Sequence, residues 1–184
     1  VEAVAVSATD RTVPIRVAGI ADLGNIVRLV ESAYRGHGSR AGWTTEADLL
    51  GGQRTDPDLV RPLLVSAHDA VLVTGDGADL LGCCAVNERD GRVGFGMFAV
   101  RPGTQGGGVG RALLAEAERY AHERWSARLI EMTVIAQRAE LVAWYERRGY
   151  ARTGETRPFP YGDERFGRPL RDDLYFVVLE KQLG

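Results

Sequence analysis

The run Gln105-Gly106-Gly107-Gly108-Val109-Gly110-Arg111 follows an apolar strand ending at Val100 and opens an amphipathic helix. Glycines let the main chain turn tightly, so consecutive N–H groups can converge on one anion at the positive end of the next helix. A pyrophosphate fits such a cradle. Two better-known phosphate loops fail on spacing. Counted from Gly103, the Lys-Ser/Thr pair of a Walker A loop would fall on Val109 and Gly110. A dinucleotide fingerprint begun at Gly106 or Gly108 would put its third glycine at Arg111 or Leu113. What remains is Gln-x-x-Gly-x-Gly behind Met97-Phe98-Ala99-Val100-Arg101-Pro102.

That arrangement resembles the coenzyme A loop of the GCN5-related N-acetyltransferases, the GNAT superfamily. Downstream, Glu140-Leu141-Val142-Ala143-Trp144-Tyr145-Glu146-Arg147-Arg148-Gly149-Tyr150 is similar to that family's late helix. The family's helix carries a tyrosine near the thioester sulfur and ends in glycine plus an aromatic. Together the two segments cover Val93 to Tyr150. The resemblance implies an α/β (α+β) fold with a mixed, mostly antiparallel sheet of about seven strands flanked by helices. It also implies a splay where Val93–Val100 parts from Leu129–Val134. Acetyl-coenzyme A is the implied co-substrate, with no metal. Its implied contacts are Phe98, Ala99, Val100, Gln105, Gly106, Gly107, Gly108, Val109, Gly110, Arg111, Arg138 and Tyr145. Many relatives have asparagine where Arg138 stands, so Arg138 either reaches a coenzyme A phosphate or faces solvent.

The implied reaction is N-acetyl transfer, in which a primary amine of a small molecule or protein attacks the thioester directly in a ternary complex. Near-attack positioning alone contributes several kcal/mol, and a main-chain N–H, that of Phe98, would polarise the thioester carbonyl. Tyr145 stands at the family position of the phenol that protonates the departing thiolate. A phenol of pKa near 10 can donate to a thiolate of roughly 8.5 to 10 without being tuned far. The amine must lose a proton as well. Many relatives use a glutamate on the strand before the loop, but Gly94-Phe95-Gly96-Met97 has no carboxylate. Glu131 on the neighbouring strand and Glu46 after Trp43-Thr44-Thr45 are the substitutes, with Tyr34 and His37 behind them. A water-relayed base or a free-amine substrate is equally compatible. Plainer readings stand beside these: Tyr145 as a core aromatic, and Glu131 as half of a surface ion pair.

Two stretches are expected to shape the acceptor pocket. One runs from Tyr34 to Glu46 and includes Trp43; the other contains Arg157-Pro158-Phe159-Pro160-Tyr161, where prolines hold aromatic walls such as Phe159. The alternative is that both pack against a second subunit in a homodimer. A different class of function is a coenzyme-binding sensor or interaction module that transfers nothing; the missing strand glutamate favours it and Tyr145 argues against it.

Length and composition set modest bounds. The 184 residues, 45% hydrophobic, suffice for one domain over the whole chain, with residues 1–13 expected to be an extended or disordered segment. A net charge of -2 gives no basic field for nucleic acid or anionic lipid, so a small-molecule or peptide amine is the favoured partner. An acetyltransferase acting on charged tRNA would need such a field. The two cysteines, Cys83 and Cys84, are adjacent and without metal-ligand partners, and read as buried thiols in a reducing cytoplasm. Val4-Ala5-Val6 is too short for a signal core, and no apolar run approaches a membrane span.

The elements that must position these residues alternate along the chain. Ile15–Val17 reads as a strand and Asp22–Tyr34 as a helix with Leu23, Ile26, Val27, Val30 and Ala33 on one face. Gly36 to Gly42 reads as a loop, Thr45 as the cap of a short helix to Leu50, and Asp56-Pro57 as the start of another short turn. Ala70–Thr74, Leu80–Glu88 and Arg92–Val100, separated by Gly75-Asp76-Gly77 and Arg89-Asp90-Gly91, form a meander. Beyond the glycine loop come a helix through Trp125, a strand Leu129–Val134, a helix Ala139–Arg148, and strands Ala151–Thr156 and Leu174–Lys181. The last two are joined by a connection too long for a hairpin.

Overall fold

The computed structural model describes residues 14–34, 46, 48–104, 106–163, 165 and 167–184. Strand β1 (Ile15–Val17) leads through a 3-10 turn into α1 (Leu23–Tyr34). The short helix expected to end at Leu50 is instead, among the described residues, one turn running into β2 (Leu50–Gly51). That turn is closed by the N–H groups of Leu49 and Leu50 on the Glu46 carbonyl, each at 2.8 Å. At Asp56 the carboxylate accepts from the N–H groups of Asp58 and Leu59, and Pro57 takes the first helical position. These signals start α2 (Pro57–Val65), nine residues long, where the sequence suggests only a turn.

The meander follows as β3 (Asp69–Asp76), β4 (Asp79–Arg89) and β5 (Arg92–Val100). After the glycine loop come α3 (Val109–Trp125), β6 (Leu129–Ile135), α4 (Ala139–Glu146) and β7 (Ala151–Pro158). The long connection then contributes β8 (Arg168–Pro169) before β9 (Tyr175–Gln182). It is thus more than a loop, because β8 pairs with β2 and brings Phe159 and Leu174 into a small core with Leu50 and Ile135. The expectations for residues 1–13 and for Gly36 to Gly42 lie outside the described residues.

Seven strands form one sheet in the order β1-β3-β4-β5-β6-β9-β7, mixed and mostly antiparallel, with helices on both faces. Strand alternation sends Val71, Val73, Cys83 and Ala85 toward α1 and α2, and Leu72, Cys84, Val86 and Phe95 toward α3 and α4. Burial on both faces explains why these strands read as nearly continuous apolar runs. Cys83 and Cys84 therefore point to opposite cores, both buried and both free.

The only parallel neighbours in this sheet are β5 and β6, paired at just two positions, Val93 with Ile130 and Gly94 with Glu131. Past Gly94 they part. The same stretch of β5 is bulged: Cys83 faces Ala99 and Ala85 faces Gly96, so Cys84 stands opposite both Met97 and Phe98. Met97, one of the two residues on the bulged side, takes the left-handed conformation, φ 45°.

Candidate functional site

The parting strands open a cavity of about 200 Å3 between the layers. Phe95, Gly96, Met97 and Phe98 supply its β5 wall, Met132 to Ile135 its β6 wall, and Leu141 and Tyr145 its α4 floor. Phe159 and Phe176 close one end, their rings stacked at 5.6 Å. Gly96 leaves room here, since a Cβ on it would meet nothing within 4 Å. Arg101 donates its N–H to the Leu81 carbonyl on β4 at 2.8 Å. By strand alternation, the main-chain groups of Val100 face the opposite way, toward the split. The Phe98 carbonyl accepts a hydrogen bond from the Tyr34 hydroxyl.

Glu46, in the turn before β2, is the carboxylate that reaches this cavity. Its side chain is 10% exposed and lies 3.6 Å from Arg138 and 3.8 Å from Arg54. The Arg54 guanidinium also sits over the Tyr34 ring, 5.0 Å from its centre. Arg138 neither faces solvent nor lines the glycine-loop cleft: its side chain is 8% exposed and belongs to the central cavity. The cause is its place in the turn between β6 and α4, which directs it across the split to Glu46.

Glu131 stands elsewhere. Its register partner is Gly94, where β5 and β6 are still joined, so the sheet is closed beside it. Its carboxylate accepts from Arg157 at 2.9 Å and lies 3.6 Å from Arg92. This is the ion-pair reading of Glu131, outside the residues lining the cavity. Trp43 and His37 fall outside the described residues, as does Gln105.

Tyr145 is 3% exposed, with its ring against those of Phe95, Phe98, Trp144 and Tyr150. Burial pushes its phenol well above the ordinary value, with Tyr34 adding to the effect. The expectation of an untuned phenol near 10 is corrected accordingly: the apolar rings that hold Tyr145 also disfavour its phenolate. Tyr34 is likewise pushed up, to about 12, by burial.

A second concavity lies where the glycine loop enters α3. Gly106 and Gly108 have φ of 99° and 81°, conformations that suit glycine. A Cβ at Gly106 would meet nothing within 4 Å; it would stand in the cleft itself. Gly108 is the N-cap of α3 and has no side chain to cap it. The first-turn N–H groups of Val109, Gly110 and Arg111 consequently have no acceptor within the helix. With the dipole behind them, they suit an anion. Val100, Trp144 and Arg148 complete the cleft. Sequence reasoning missed Arg54, which lies in no motif, and gave Arg148 no role although it stands within the tyrosine-helix segment; only the path of the chain brings them to the split and to the loop.

Among the described residues no helix is long and apolar enough to cross a membrane. The family model described as acetyltransferase (GNAT) domain matches residues 52–159. No curated protein matches the chain. Among solved structures, nourseothricin acetyltransferase is similar at 25% identity and a TM-score of 0.54, over 64% of this chain and 66% of that one. The ribosomal-protein-S18-alanine N-acetyltransferase from Escherichia coli is 15% identical with a TM-score of 0.68, over 93% of this chain and 94% of that one. The protein yncA from Salmonella typhimurium, solved with its cofactor acetyl-CoA, is 20% identical with a TM-score of 0.65, over 94% and 95% of the two chains. The last two likenesses are of fold. The family match is of sequence, spans more than half the chain, and takes in the bulged strand, the glycine loop, the split and the tyrosine helix. With both in hand, the chain belongs to the GNAT family of acetyltransferases.

Proposed function

We propose that the protein is an acetyl-CoA-dependent N-acetyltransferase acting on a primary amine of a small molecule or protein, by direct attack in a ternary complex. One observation carries the reading: the walls of the anion cleft and of the central cavity are in contact. Trp144 lines the cleft, Tyr145 lines the cavity, and their rings are 5.1 Å apart. A donor that is anionic at one end and reactive at the other suits that succession. The cleft's first-turn N–H groups and its flanking Arg111 suit a diphosphate. An acetyltransferase that carries its acetyl group on coenzyme A brings one.

In this reading the N–H of Phe98, on the bulge, polarises the thioester carbonyl. The amine nitrogen forms the new C–N bond as the C–S bond breaks, and Tyr145 gives its proton to the sulfur. Its raised pKa keeps it protonated before the reaction. Glu46 is the carboxylate that lines the cavity and is the group we assign to take the amine's proton, directly or through water, while the Tyr145 phenolate regains a proton from solvent. Glu131 has no part in that assignment. Trp43 and Phe159 remain proposed acceptor contacts, Phe159 because it closes the cavity.

A second reading, a coenzyme-binding sensor, draws on the glycine at position 96 and on the engagement of Glu46 by two arginines. Thiol release from acetyl-CoA against polyamines, aminoglycosides, amino acids and peptide N-termini separates the two. Turnover on one class that falls about 100-fold in Tyr145→Phe, with coenzyme affinity kept, supports transfer. Silence across the panel with calorimetric binding of acetyl-CoA intact would favour the sensor.

A further inference from the structure

Arg148 stands just past α4, and its guanidinium lies 3.5 Å from the centre of the Trp144 ring. One nitrogen, Nη1, donates to the Trp144 carbonyl at 2.7 Å, a bond of the kind that closes a helix end. That bond leaves most of the guanidinium unexplained. Its Nε is buried without a hydrogen-bond partner, and no carboxylate among the described residues pairs with it. Glu146, two positions back, pairs with Arg152 at 2.8 Å instead. Burial lowers the pKa of Arg148, and the charges of Arg147 and Arg111 lower it further. A cation is therefore held among cations, partly desolvated, on the wall of a cleft whose other wall is Gly106 to Arg111.

Such an arrangement is unfavourable in the free protein and becomes favourable when an anion enters. The anion must match a planar fork of donors on one side and main-chain N–H groups on the other. We infer that Arg148, supported on Trp144, clamps the diphosphate of the coenzyme from the α4 side while the glycine loop holds it from the α3 side. The tryptophan face fixes the guanidinium in advance, so little side-chain freedom is lost on binding. The inference rests on the coenzyme reading of the site and adds to it a residue from outside the glycine loop.

The test is calorimetric titration of coenzyme A and 3′-dephospho-coenzyme A into wild type, Arg148→Ala and Arg148→Lys. Pantetheine, which lacks the diphosphate, is titrated in parallel by NMR. Arg148→Ala should bind both nucleotide-bearing ligands about ten- to a hundredfold more weakly, the worth of a charge-assisted hydrogen bond. Pantetheine should bind it as it binds wild type. Arg148→Lys should recover part of the loss, since an ammonium keeps the charge without the fork. Should Arg148→Ala not fold, the lysine variant carries the test by the same contrast between coenzyme A and pantetheine. Unchanged coenzyme A affinity would overturn the clamp. So would a loss that vanishes with the dephospho ligand, or one that pantetheine shares. Wild type that binds no coenzyme A would defeat the coenzyme reading itself, an outcome distinct from failure of the clamp alone.

Discussion

The Tyr34 hydroxyl donates a hydrogen bond to the Phe98 carbonyl, joining the end of α1 to the bulge of β5 across 64 positions of chain. The bulge lies on the stretch of β5 that lines the cavity. A helix on one face of the sheet therefore holds the strand that borders the cavity. Tyr34→Phe removes the donor and keeps the ring, and should cost about 1 kcal/mol in urea denaturation. Turnover should fall by more than coenzyme affinity does. A variant as stable and as active as wild type would show that the bond steers nothing.

Glu46 lies between Arg54 and Arg138, and removing one member of a buried ionic group leaves the others poorly compensated. Glu46→Gln should therefore lower stability by about 1 to 3 kcal/mol. Combining it with Arg138→Met should return part of that loss. A double-mutant cycle measures the coupling. Additive effects would mean that the ion pair contributes nothing to the fold, and turnover retained in Glu46→Gln would remove Glu46 from the chemistry.

Alkaline pH should unfold the protein through a defined set of groups. In an unfolded chain, cysteine titrates near 8.5 and tyrosine near 10. In the fold, burial pushes Cys83 and Tyr34 up to about 12, and raises Cys84, Tyr145 and Tyr150 as well. The native state thus keeps protons that the unfolded chain would release. The stability these groups contribute is whole below about pH 8.5 and drains away as the pH rises toward 12. Phenolate absorbance from the buried tyrosines should emerge together with the loss of circular dichroism. Phenolate formed well before unfolding would contradict the burial argument.

Much of this was legible in local pattern. Alternation and turn residues marked the meander to within a residue or two, and Asp56-Pro57 announced the start of α2 although not its length. Other features were hidden because they depend on distant chain. Strands of two residues, β2 and β8, have no periodicity to detect, yet their pairing turns the long connection into a wall of the cavity. Glu131 and Glu46 look equivalent as isolated carboxylates. Register separates them: Glu131 lies where β5 and β6 are joined, whereas Glu46 is brought to where they part.

By itself the sequence determined the glycine loop at the head of α3, the tyrosine helix and the order along the chain of the seven strands of the main sheet, because turn chemistry and hydrophobic period act over a few residues. Tertiary structure alone decided which charges meet. Arg138 is set against Glu46 rather than at the glycine loop, and Arg148, at the end of the tyrosine-helix segment, stands at that loop instead. The physical reason is range: a backbone preference is settled within a turn of chain, while the partner of a charge is whatever the packed layers bring within a few ångströms of it.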